Sequence, residues 1–65
     1  MPSSVVKHYI YFPETEILTI IYQSGAIYDY LKVPSSIVEK FKKATSKGQF
    51  LNHVIKPGFK YSKRG

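Results

Sequence analysis

The chain has 65 residues, of which 43% are hydrophobic and ten are aromatic, with ten lysine or arginine residues against four acids, a net charge of +6, and no cysteine. That length supports one small core covering roughly 60% of the unfolded surface and no second domain, so residues 1–65 read as a single globular unit. The composition excludes disulfides and thiolate metal ligands, and its longest apolar stretch, Ile17 to Tyr22, is far below the ~20 residues a membrane span needs.

The elements follow in order. Met1-Pro2-Ser3-Ser4 has neither the basic start nor the apolar centre of a secretion signal, which gives a cytoplasmic expectation. Val5 to Phe12 is rich in Val, Ile, Tyr and Phe and reads as a strand, closed by a turn at Pro13-Glu14-Thr15-Glu16. Ile17 to Tyr22 reads as a second strand. Ser24-Gly25 supplies a tight turn, and Ala26 to Lys32 a third strand. After Val33-Pro34 the hydrophobic period changes from two to about 3.6. Ile37, Val38, Phe41 and Ala44 then mark a helix; Ser36 and Glu39 have capping-box spacing, and Pro34 alternatively fits a first helical position. A second cap at Ser46, with Gln49 three residues later, opens a short helix whose stripe is Phe50, Leu51, Val54 and Ile55 and whose stop is Lys56-Pro57-Gly58. Phe59 and Tyr61 return to the sheet or fold over the core, and residues 62–65 read as a flexible basic tail. The predicted fold is α+β: a three-stranded antiparallel meander followed by two short helices packed on one face. The helix pair invites comparison with a helix-turn-helix, but an amphipathic pair covering a sheet explains the same pattern without a third helix.

Pairing register decides what Tyr28 and Tyr30 do. With even-membered loops they share a face with Val6, His8, Ile10, Phe12, Ile17, Thr19 and Ile21, away from Tyr9, Tyr11, Leu18, Ile20, Tyr22, Ile27 and Leu31. Both faces are then apolar, and two helices cover only one of them. An open aromatic face is a platform for stacking bases or a docking surface. With an odd loop or a bulge at Gly25, the two tyrosines instead lie under the helices as core.

Charge is unevenly distributed. Residues 1–39 carry two lysines and four acids, whereas residues 40–65 carry seven lysines and one arginine with no acid. Such asymmetry is an electrostatic footprint for a polyanion, although a solvated, solubilising lysine surface has the same composition. Catalytic patterns are absent. His8 and His53 are the only histidines, no ligand spacing points to a metal, the four glycines are isolated, and Ser35, Ser36 and Ser46 are better explained as caps than as nucleophiles. The expectation is a non-enzymatic domain with no cofactor and no metal.

These residues carry a family resemblance. Ser3-Ser4, Leu18, Ile20, Tyr22, Ser24-Gly25, the pair Tyr28-Asp29-Tyr30 ahead of Val33-Pro34, and the run Ala44, Ser46, Gly48, Phe50, Asn52 and Ile55, closed by Phe59 and Tyr61, resemble the KTSC domain. This short module is named for its place at the C-terminus of some lysyl-tRNA synthetases, and it also occurs as a stand-alone bacterial protein. The chain departs from the pattern at its first turn, Pro-Glu-Thr-Glu where a glycine is frequent, and at Lys56, where arginine is usual and would give bidentate phosphate contacts. The resemblance implies the α+β fold and RNA binding. Two functions follow as expectations. In one, RNA or tRNA is held by Lys40, Lys43, Lys47, Lys56, Lys60, Lys63 and Arg64, with Tyr28, Tyr30 or Tyr61 stacking on bases. In the other, an open apolar sheet face docks a protein partner or a second copy of the chain. Neither involves a membrane.

Overall fold

A computed structural model describes residues 6–64, so the matching serines Ser3 and Ser4, the predicted strand start at Val5, and Gly65 lie outside the described residues. Strands β1 (Val6–Phe12), β2 (Ile17–Tyr22) and β3 (Ile27–Tyr30) are followed by helix α1 (Ser35–Lys43). A second helical run, residues 47–58 and here α2, is α-helical over Lys47–Phe50, π-helical over Leu51–Ile55 and α-helical again over Lys56–Gly58. Strand β4 (Tyr61–Lys63) closes an antiparallel sheet in the order β1-β2-β3-β4. The architecture is the α+β meander with two helices that the sequence predicts, plus a fourth strand that it does not assign.

The two hairpins differ in loop parity, and that difference sets every face. Between Phe12 and Ile17 the loop has four residues, and Thr15 N–H donates to the Phe12 carbonyl across it at 3.3 Å. Between Tyr22 and Ala26 it has three: Gly25 N–H donates to Tyr22 O at 2.9 Å, and Tyr22 N–H to Ala26 O at 2.8 Å. Gly25 adopts φ +95°, the left-handed bulge position of a three-residue hairpin, which an L side chain resists. The even-membered register for the second hairpin is thereby corrected. Tyr28 pairs with Ile20 and Tyr30 with Leu18, so both tyrosines join the helix-covered face. Val6, expected beside His8 and Ile10, is corrected too: a bulge between Val6 and His8 brings it opposite Tyr22 on the helix-covered face.

The core is Leu18, Ile20 and Tyr30 from the sheet, Val33 from the connection, Val38 and Phe41 from α1, and Leu51 and Ile55 from α2. Phe41 meets Tyr9 edge-on, with ring centroids 5.1 Å apart, and lies 6.1 Å from half-buried Phe50. Helix α1 starts two residues earlier than the capping-box spacing suggests. Pro34 is its cap, no side chain closes the first turn, and its carbonyl accepts from Ile37 and Val38 N–H at 3.0 and 3.2 Å. Ser36 therefore lies inside the first turn, and Glu39 pairs with Lys42 at 3.6 Å instead of reaching back. The second cap forms as expected, Gln49 N–H donating to Ser46 Oγ at 3.3 Å. The helix also continues through the predicted stop at Lys56-Pro57-Gly58. Its π-helical segment ends two positions before Pro57, which has no N–H and whose ring crowds the carbonyl four residues back, at His53 inside that segment; the wider turn relieves that crowding.

The expected tail from Ser62 is also corrected. Tyr61 pairs with Tyr30, Ser62 with Asp29 and Lys63 with Tyr28, while Arg64 N–H donates to Ile27 O at 2.7 Å. On the outer face Asp29 accepts from Thr19 Oγ1 at 2.6 Å and from Arg64 Nη2 at 3.2 Å, and pairs with Arg64 Nε at 2.7 Å. This forked ion pair holds the end of β4 to the centre of the sheet. Among the described residues no helix is long and apolar enough to cross a membrane.

Candidate nucleic-acid interface

The odd hairpin and β4 together build a tyrosine cluster at the margin of the helix-covered face. Tyr28 stacks near Tyr30 (centroids 6.2 Å, interplanar angle 20°) and contacts Tyr61 at 5.0 Å and Tyr22 edge-on at 5.1 Å; Tyr61 also lies 5.6 Å from Tyr30. Exposure divides the cluster. Tyr30 is fully buried, Tyr28 is half-buried, and Tyr61 is 53% exposed because β4 lies at the sheet edge. Lys63, the cross-strand neighbour of Tyr28, places Nζ 6.0 Å from the Tyr28 ring centroid, at the limit of a cation–π contact. The result is an aromatic shelf with one buried member, two accessible members and an ammonium above it.

Hydrogen bonding fixes the shelf from below. The Tyr22 and Tyr30 hydroxyls lie 2.9 Å apart. Burial pushes the Tyr30 hydroxyl well above the ordinary tyrosine range, and the bond to Tyr22 pushes it further. Tyr22 is also raised by burial, and its bond to Tyr30 offsets part of the rise. Tyr11, raised by burial and then by Glu16, donates to Val33 O at 2.8 Å and ties β1 to the chain leaving β3.

The cationic candidates are spread over three elements. Lys40 and Lys43 are exposed on α1, and Lys56 is exposed on α2. Lys47 does not continue the α1 face, because α1 ends at Lys43; it opens α2 and its Nζ donates to the Lys42 carbonyl at 3.4 Å. Lys60 precedes β4, and Lys63 lies within it. Arg64 is held by Asp29 on the outer face, opposite the tyrosine shelf. Tyr28, Tyr61 and Lys63 are thus brought together, Tyr30 lies beneath them as core, and Arg64 is turned away. His53 is exposed on α2, and among the described residues no three His, Cys, Asp or Glu side chains form a metal-holding group.

Lys32 is a residue that the sequence reading places inside the third strand. The strand stops at Tyr30, and Lys32 turns out of it at φ +56°, left-handed backbone that costs a non-glycine residue about 1–2 kcal/mol. Glu16 has the same φ, and Val33 N–H donates to its carbonyl at 2.8 Å, so two strained residues meet at this end of the sheet. With Leu31, Gly58, Phe59 and Lys60, Lys32 lines a pocket of about 260 Å³. The only hint in the sequence was its position just before the buried Val33 and Pro34.

An antiparallel meander under two helices, with a tyrosine pair preceding the turn into the first helix, defines a small α+β domain. The KTSC domain family matches residues 2–61, and the chain belongs to that family. Over 58 residues it is 47% identical to a lysine–tRNA ligase of Nostoc punctiforme; the match covers 89% of this chain and 10% of the ligase, so the chain spans about a tenth of that relative's length. A protein of Stutzerimonas stutzeri is 39% identical over 57 residues, covering 88% of this chain and 80% of that protein. The crystal structure of a KTSC domain protein from Yersinia pestis superposes with a TM-score of 0.81 at 34% identity, covering 100% of this chain and 94% of that one.

Proposed function

We propose that the domain is a non-enzymatic RNA-binding module of the cytoplasm, holding a single strand of RNA or tRNA by its phosphates and stacking a base on Tyr28 and Tyr61. The observation that carries this reading is the shelf itself: two accessible aromatic rings beside the ammonium of Lys63, the pairing of stacking surface and cation that single-strand binders use. The acid-free stretch after Glu39 supports it, since Lys40, Lys43, Lys47, Lys56 and Lys60 add positive potential without an internal counter-charge in sequence. The ligase relatives, whose own name includes tRNA, support it further. The test is fluorescence anisotropy of a labelled tRNA and of a short single-stranded RNA at low salt. Saturable binding that weakens in Tyr61→Ala is expected; no binding of either at low salt would overturn the reading.

A second reading rests on the outer sheet face. Ile10 and Phe12 are 41% and 47% exposed there, and Ile17, Ile21 and Ile27 are half-buried beside them. Such a patch suits a protein partner or a second copy of the chain. Sedimentation of the wild type at high concentration against Ile21→Lys tests the second copy: a dimer abolished by the lysine supports it, and a monomer in both removes it.

A further inference from the structure

The pocket between the end of β3 and the start of β4 has the chemistry of a nucleotide subsite. We propose that it takes one nucleotide unit, with the phosphate held between Lys32 and Lys60 and the base against Phe59 and Leu31. The choice of a nucleotide as ligand rests on the RNA-binding reading above; the site itself rests on the pocket.

Five observations support it. The lining includes two lysines and no acid, and among the described residues neither lysine is in an ion pair. Its walls are apolar: Leu31 remains 36% exposed, and Phe59 packs its inner side against the core while bordering the cavity. At about 260 Å³ the space lies just under the range of small-molecule sites, which suits one base rather than a stacked pair. The backbone of the lips is already paired. Leu31 N–H donates to Lys60 O at 2.8 Å, and Phe59 N–H to Ile55 O at 3.0 Å, so the ordering cost of ligand entry falls on the two lysine side chains. Lys32 is held at φ +56°, where asparagine or glycine would sit more comfortably. A strained residue that lines a pocket and carries a charge points to a role for the charge.

Titration of 15N-labelled protein with uridine and adenosine 5′-monophosphates, followed by amide shifts, tests the site. Saturable shifts are expected at Leu31, Lys32, Phe59 and Lys60. The double variant Lys32→Asn, Lys60→Gln should weaken binding at least tenfold; asparagine tolerates the left-handed backbone. Gly58→Leu is a charge-neutral block. A Cβ there meets nothing within 4 Å, so the added side chain enters open space by the pocket, and the residue ends a helix that leucine favours. Pocket amides that ignore the mononucleotides overturn the inference, as does undiminished binding by Gly58→Leu or equal affinity for inorganic phosphate alone. The two readings separate cleanly. RNA binding with silent pocket amides removes the subsite and leaves the RNA module, whereas mononucleotide binding in a chain that ignores RNA supports the subsite and removes the module.

Discussion

At Tyr30 the ring is fully buried and its hydroxyl is hydrogen-bonded to that of Tyr22, while Tyr28, two residues earlier on the same face, is only half-covered. The two positions therefore respond differently to the same substitution. Tyr30→Leu should cost about 2–3 kcal/mol through lost ring contacts and an orphaned Tyr22 hydroxyl, read as a lower thermal midpoint. Tyr28→Leu should change stability much less and lower RNA affinity instead, read by anisotropy. Protonation gives a second measurement. Burial holds the Tyr30 hydroxyl above the ordinary tyrosine value of 10.0, so the unfolded chain loses this proton first as pH rises. Stability from this residue is complete below pH 10 and falls above it by about 1.4 kcal/mol per pH unit. Chemical unfolding between pH 10 and 11 should show at least that slope, since Tyr11 and Tyr22 are raised in the same direction, and Tyr30→Phe should reduce it. The sequence alone left Tyr28 and Tyr30 open between core and surface, because one residue of loop length separates the two outcomes.

The elements repeat that lesson. Strands β1 to β3 and both helices were legible because each carries at least four residues of clear period and a turn or cap signal at its boundary. Strand β4 was not, since three residues carry no readable period and its partner Tyr30 is thirty-one positions away. The parity of the second hairpin was hidden as well; Ser24-Gly25 announces a turn without saying whether Gln23 belongs to it. Gly25 answers the question in three dimensions through its φ of +95° with open space around it. Gly25→Ala should therefore destabilise the domain by about 1–2 kcal/mol through backbone strain alone, with no steric clash, as measured in urea. The candidate site was legible to a similar degree. Tyr61 and Lys63 were picked by type, but their meeting with Tyr28 depends on β4, and Lys32 had no signal beyond its neighbours.

For the whole molecule, charge and hydrophobicity are separated between surfaces. The outer face is apolar with one forked ion pair at its centre, whereas the cations of α1, α2 and β4 belong to the other elements and to the sheet margin. Lysines hold phosphates without reading bases, so RNA affinity should be modest, tolerant of sequence and strongly dependent on salt. Each lost phosphate contact lowers the log-affinity against log-salt slope by about 0.7 on a single strand. The triple variant Lys43→Glu, Lys47→Glu, Lys60→Glu should keep the wild-type circular dichroism, bind more weakly and lose up to about 2 from that slope, measured from 20 to 200 mM salt. An unchanged slope would remove these lysines from the interface.

Strand β4 also orders events in time. The first three strands close through loops of four and three residues, steps of microseconds, whereas β4 has to find β3 after the whole helical segment has been laid down. Tyr28 and Tyr30 are therefore in place before Tyr61 and Lys63 arrive, and the shelf is completed by the last strand to dock. The same strand is the natural first to leave, since it is short, at an edge, and fastened by few bonds. Amide hydrogen exchange should show it: the Leu31 and Arg64 amides, which bridge β3 to β4 and its extension, should exchange through a local opening, faster than the Tyr22 amide in the β2–β3 hairpin. Bound RNA that bridges Tyr28 and Tyr61 would slow exchange at Leu31 and Arg64 above all, so that the ligand acts as the clasp on the sheet's last strand.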